Sequence, residues 1–86
     1  MSRFEIEMDN GNTFTYGFDE NLRTYFWQVF DQEDELLVDE GNPGDARTGG
    51  QLLTAIHKFG LEKEISDNHL AQAGLDIPIT NQSIIW

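Results

Sequence analysis

Apolar and polar residues alternate strictly at the start of the chain. Phe4, Ile6 and Met8 interleave with Glu5, Glu7 and Asp9, which is the period of a half-buried strand with a charged outer side. Asp9-Asn10-Gly11-Asn12 follows, and Asn-Gly supplies the positive φ angles of a tight hairpin turn. From Thr13 to Phe18 the alternation resumes, with Phe14, Tyr16 and Phe18 on one side and Thr13, Thr15 and Gly17 on the other. After the break at Asp19-Glu20-Asn21, the run Thr24–Phe30 is apolar on both faces. Tyr25, Trp27 and Val29 share one face, Phe26 and Phe30 the other. Such a strand is expected at the centre of a sheet or covered on both sides. A polar turn, Asp31–Asp34, leads to a short strand through Leu36, Leu37 and Val38. Consecutive strands tend to be neighbours, so a four-stranded antiparallel meander is expected.

The period then changes. Thr48-Gly49-Gly50-Gln51 reads as a capping box, and Leu52, Leu53, Ile56 and Phe59 recur at the spacing of an amphipathic helix. Gly60 stands where a left-handed C-cap is wanted, with Leu61 as its apolar lock. Ser66 is the N-cap of a second, shorter helix that turns Leu70 and Ala73 inward and ends at Gly74. Ile77-Pro78-Ile79 is extended because of the proline. Strands first and helices second predict an α+β domain: a four-stranded antiparallel sheet with one main helix and a short second helix packed on one face. One domain is expected over 1–86, with the sheet in 1–40, the helices in 48–74 and an extended tail in 75–86. The turn-rich Gly41-Asn42-Pro43-Gly44-Asp45 forms the seam.

Charge changes the picture most. Five basic residues face sixteen acidic ones in 86 positions, a net charge of −11. Residues 1–47 hold three arginines against twelve acids, so nearly all of the field comes from the sheet half. Leu, Ile, Val and Phe number 23 of 86, above the roughly 20% at which acidic chains are disordered, so a small core is expected. The acidity argues against direct binding of nucleic acid and against anionic membranes. With no cysteine, neither a disulfide nor a thiol nucleophile is available. No apolar run reaches membrane-span length and no signal-type leader is visible, so a cytoplasmic protein is expected.

Catalytic and metal patterns are weak. His57 and His69 lie twelve residues apart with no His-Glu-x-x-His pattern. The serines Ser2, Ser66 and Ser83 stand in no nucleophile elbow. Both histidines read as surface or helix-end residues. Asp31, Glu33 and Glu35 offer oxygens at alternate positions beside Asp34, but the loop has Leu36 and Asn42 where an EF-hand needs Gly and Glu. The glycines near Arg47 lack the lysine of a phosphate cradle. No enzyme, cofactor or specific metal site is expected.

The stretch Tyr16-Gly17-Phe18-Asp19-Glu20-Asn21-Leu22-Arg23-Thr24-Tyr25-Phe26-Trp27-Gln28-Val29-Phe30-Asp31 resembles a signature of small bacterial proteins: an aromatic-Gly-aromatic-Asp turn followed by Leu-x-Thr-aromatic-Phe-x-Gln-Val-aromatic-Asp. The resemblance implies a comparable fold and a bacterial or phage-like setting. It carries no activity with it. The turn from Glu33 to Glu35 and the tail after Asp76 depart from the pattern.

The acids are then the main functional feature. Glu5, Glu7, Asp31, Glu33, Asp34, Glu35, Asp39 and Glu40 are expected to form an acidic binding face. Alternate carboxylates on a strand lie about 6.6 Å apart, comparable to two nucleotide steps of about 3.4 Å, so such a row can mimic DNA towards a basic protein. Small acidic inhibitors of phages and mobile elements are similar in size and charge. The expected function is therefore a non-enzymatic inhibitor or accessory factor that docks on a basic, nucleic-acid-binding protein. The alternatives are a calcium- or cation-binding accessory protein using the same acids, and a structural homodimer joined through an aromatic face of Tyr25, Trp27 and Trp86.

Overall fold

A computed structural model describes residues 2–40 and 47–80. The expectations for the Gly41–Asp45 seam and for the tail at Ile84, Ile85 and Trp86 lie outside the described residues. The elements are β1 (Ser2–Glu7), β2 (Thr13–Asp19), β3 (Thr24–Phe30), β4 (Leu36–Glu40), α1 (Gly49–Lys58) and α2 (Asp67–Gly74). The strands form one antiparallel sheet in the order β1-β2-β3-β4. This is an α+β fold with a meander sheet followed by two helices. No helix among the described residues is long and apolar enough to cross a membrane.

Two of the hairpins share one geometry. In the first, the Met8 amide donates to the Asn12 carbonyl at 2.7 Å and the Gly11 amide to the Met8 carbonyl at 2.9 Å. In the last, Asp31 donates to Glu35 at 2.9 Å and Asp34 to Asp31 at 3.1 Å. Each is a three-residue loop closed by one residue in the left-handed region. Gly11 takes that position at φ 86°, and Asp34 takes it at φ 63°. The expectation that Asn10 and Gly11 both supply positive φ is thus corrected: only the glycine does, while the Asn10 side chain accepts from the Asn12 amide at 2.9 Å.

Register decides which face of the sheet is inside. Phe14 pairs with Val29, Tyr16 with Trp27 and Phe18 with Tyr25. Opposed residues share a face, so the Tyr25/Trp27/Val29 face joins the Phe14/Tyr16/Phe18 face. Together they meet Leu52, Ala55 and Ile56 of α1, Ala73 of α2, Leu61, Ile65 and Ile79 in one core. Tyr25 and Trp27 are only 3% and 7% exposed. They are core residues rather than an open aromatic interface.

The helix ends follow their local chemistry. The Thr48 hydroxyl accepts from the Gln51 amide at 3.2 Å, and the Gln51 side chain accepts from the Thr48 amide at 2.8 Å, the reciprocal pair of a capping box. At the other end Gly60 (φ 69°) and Leu61 donate back to His57 and Ile56, each at 3.0 Å. Ser66 caps α2 by accepting from the His69 amide. The helix α2 ends where the sequence predicts. Gly74 is its last helical residue, and Asp76 takes the left-handed position at φ 58°. Asp76 and Ile77 donate back to Ala73 and Gln72 at 3.1 and 3.0 Å. The Asp76 carboxylate also accepts from the Gly49 amide at 3.0 Å. An acid at the positive end of α1 accounts for an aspartate where glycine alone would be easier.

The two core tyrosines make the protein sensitive to alkali. Burial pushes the Tyr16 hydroxyl up to about 12; burial and then the Asp76 carboxylate push Tyr25 to about 12. Between an ordinary pKa of about 10 and about 12, the unfolded chain has released these protons and the folded chain has not. The stabilisation is complete below pH ~10 and lost as pH rises through ~12. Urea midpoints measured from pH 9 to 12 are expected to fall across that window, and to fall less in Tyr16→Phe/Tyr25→Phe.

Candidate functional site

With the helices on the inner face, the other face of the sheet has no helix packed on it among the described residues. Register arranges this outer face in rows across the strands. Arg3, Gly17 and Phe26 form one row, Glu5, Thr15, Gln28 and Asp39 the next, and Glu7, Thr13 and Phe30 a third. The middle row carries a carboxylate at each end, about 14 Å apart over three strand spacings. Gln28 Nε2 donates to Asp39 Oδ1 at 3.0 Å. Between them Thr15 is fully buried, and its hydroxyl has no hydrogen-bond partner.

Two aromatic rings belong to this face. Phe26 and Phe30 are half-buried and stand outside the core cluster. The Phe26 ring lies over Gly17, where a Cβ would come within 2.9 Å of it. Beside Phe30 the β3–β4 ladder is irregular, and Leu36 and Leu37 are exposed at 47% and 54%. A depression of about 240 Å³ is lined by Arg3, Glu5, Thr13, Phe30 and Asp34. The face is therefore apolar in patches and framed by carboxylates.

The predicted acids are not one cluster. Glu5 and Glu7 project from β1 on the outer face and are exposed. Arg3 Nη2 approaches Glu5 Oε1 only to 3.9 Å. Asp39 joins the same face from β4. Asp31 is turned into its own hairpin, where Oδ1 accepts from the Glu33 and Glu35 amides at 2.8 Å each. Glu33, Asp34 and Glu35 are exposed in that turn. Glu40 alternates to the inner side and is neutralised by Arg47, with Nη2 and Nε at 2.5 and 3.2 Å from Oε2. Arg47 is held there by backbone pairing with Tyr25 and by donation to the Thr24 hydroxyl at 2.6 Å. Asp31 and Glu40 thus serve the fold, while Glu5, Glu7 and Asp39 share the outer face. Among the described residues no group of three or more His, Asp or Glu is arranged to hold a metal ion. Of the aromatic trio, Tyr25 and Trp27 are internal and Trp86 is outside the described residues.

The histidines also separate. His57 is exposed on α1, 3.5 Å from Glu62. His69 is not a surface residue: it is 8% exposed, its Nδ1 lies 2.6 Å from the Tyr16 hydroxyl, and its ring packs on Phe4 at 4.3 Å. It ties α2 to the sheet. Its place four residues before Ala73, on the same side of the helix, was the available signal in the helical spacing. Comparison with family models, with curated proteins and with solved structures finds no match to this chain.

Proposed function

We propose that the protein is a small, non-enzymatic acidic binding domain that docks on a basic, nucleic-acid-binding protein and acts there as an inhibitor or accessory factor. The observation that carries this reading is the outer face of the sheet, with Glu5, Glu7 and Asp39 around Phe26 and Phe30 and no described helix over it. Protein-binding surfaces combine apolar contact with a polar rim, and a net charge of −11 steers cationic partners at a salt-dependent rate. Two variants separate the face from the turn: Glu5→Gln/Glu7→Gln and Glu33→Gln/Glu35→Gln. All four side chains are exposed, so both variants are expected to fold. Each remove two negative charges. In a capture experiment eluted by a salt gradient, the partner is expected to leave the strand variant at much lower salt than the turn variant. Equal elution from both would reduce the acids to a general field and remove the sheet face as the site.

A further inference from the structure

The outer face also distinguishes between the two kinds of basic side chain. Resting on the reading above, we infer that it selects arginine over lysine, with the guanidinium seated in the depression beside Phe30. Three observations meet there. Phe30 is a half-buried ring that takes no part in the core. Glu5 from β1 and Asp34 from the β3–β4 turn line the same depression, so carboxylates come from two separate elements. The chain's own Arg3 lines it too and is loosely held, 3.9 Å from Glu5, with both side chains more than half exposed.

The chemistry favours a planar cation. Carboxylates attract lysine and arginine alike, so Glu5 and Asp34 alone give no selectivity. An aromatic ring does, because a guanidinium is weakly hydrated and stacks on its face while its edge still donates to carboxylates. An ammonium is a strongly hydrated point charge that gives up more water to reach the same ring. Arg3 competes for the depression from within the molecule. Its distance from Glu5 exceeds hydrogen-bond range, so an incoming arginine displaces little. The occupant is thus an arginine-bearing segment of a basic protein. A second copy of this chain fits poorly, since two molecules would each bring a charge of −11.

The test uses the full chain and two capped peptides of equal charge, hexa-arginine and hexalysine, with affinities read by calorimetry at moderate salt. Hexa-arginine is expected to bind about three- to tenfold more tightly, the range of an exposed cation–π contact with some desolvation. Phe30→Leu is expected to bring that ratio close to one, and Phe30→Tyr, which keeps the ring, to preserve it. Melting curves of both variants establish that the sheet is intact. Equal affinities in the unaltered chain, or a ratio that Phe30→Leu leaves in place, overturn arginine selection while leaving an acidic binding face. If neither peptide binds even at low salt, the binding reading itself fails along with it.

Discussion

A Phe14→Ala chain is expected to lose about 3–5 kcal/mol of stability, the cost of emptying a fully buried aromatic site. Phe14 is 0% exposed near the start of β2, with the rings of Tyr16 and Phe59 at 5.9 and 5.8 Å. It therefore links the sheet to the end of α1. A domain of this length has about 4–13 kcal/mol in total, so this one substitution removes a large share and leaves a marginal fold. Urea denaturation gives the value directly. A loss below about 1 kcal/mol would mean that the inner face does not carry the core. The outer-face phenylalanines give the contrast: they lie outside the core cluster, so Phe30→Leu is expected to cost far less than Phe14→Ala.

The second expected result turns on two adjacent glycines of opposite sign. Both open α1, and helix propensity alone predicts that alanine at either gains up to about 1 kcal/mol. Gly50 is exposed, and the nearest atom to an added Cβ is the Thr48 hydroxyl at 3.8 Å, so Gly50→Ala is expected to stabilise. Gly49 is buried, and an added Cβ would stand 2.0 Å from the Ala73 carbonyl oxygen and 2.9 Å from its carbon. Backbone cannot swing aside as a side chain does, so α1 must lift from the end of α2. That movement also strains the Gly49–Asp76 hydrogen bond. Overpacking of this kind costs about 1–3 kcal/mol, so Gly49→Ala is expected to destabilise by about 2 kcal/mol. Thermal melts of the two variants side by side read the sign. If both stabilise, the two helices do not meet as closely as described.

Much of this fold is legible in the sequence because local chemistry and tertiary packing agree. The alternation in residues 4–8 and 13–18, the Thr48/Gln51 box and the Gly60-Leu61 stop each specify one conformation, and each is present. The face of β3 is different. Both its sides are apolar, so period alone cannot choose between them. The choice belongs to the pairing of Tyr16 with Trp27, fixed by the strand register and the aromatic neighbours. For that reason Tyr25 and Trp27 read as an interface in the sequence, while Phe26 and Phe30 hold the outer positions. The left-handed turn just after α2 was hidden for another reason. Asp76 occupies a left-handed position that glycine usually fills, and its carboxylate meets Gly49, 27 residues away in sequence.

The site was legible as charge and not as geometry. Sequence identifies eight acids but cannot say that Asp31 is committed to its own turn, that Glu40 is paired with Arg47, or that Glu5 and Asp39 end one row. The first depends on the loop type, the second on Arg47 pairing beside β3, the third on register. The burial of His69 against Tyr16 likewise follows from where α2 lands on the sheet.

Backbone amide shifts followed by NMR during titration with hexa-arginine would locate the binding face. Docking on the outer side of the sheet predicts salt-sensitive shifts at Glu5, Glu7, Thr15, Gln28, Phe30 and Asp39, with α1 and α2 nearly still. Shifts concentrated on the helices, or spread evenly over every acidic residue including Glu62 and Asp67, would contradict a site on that face.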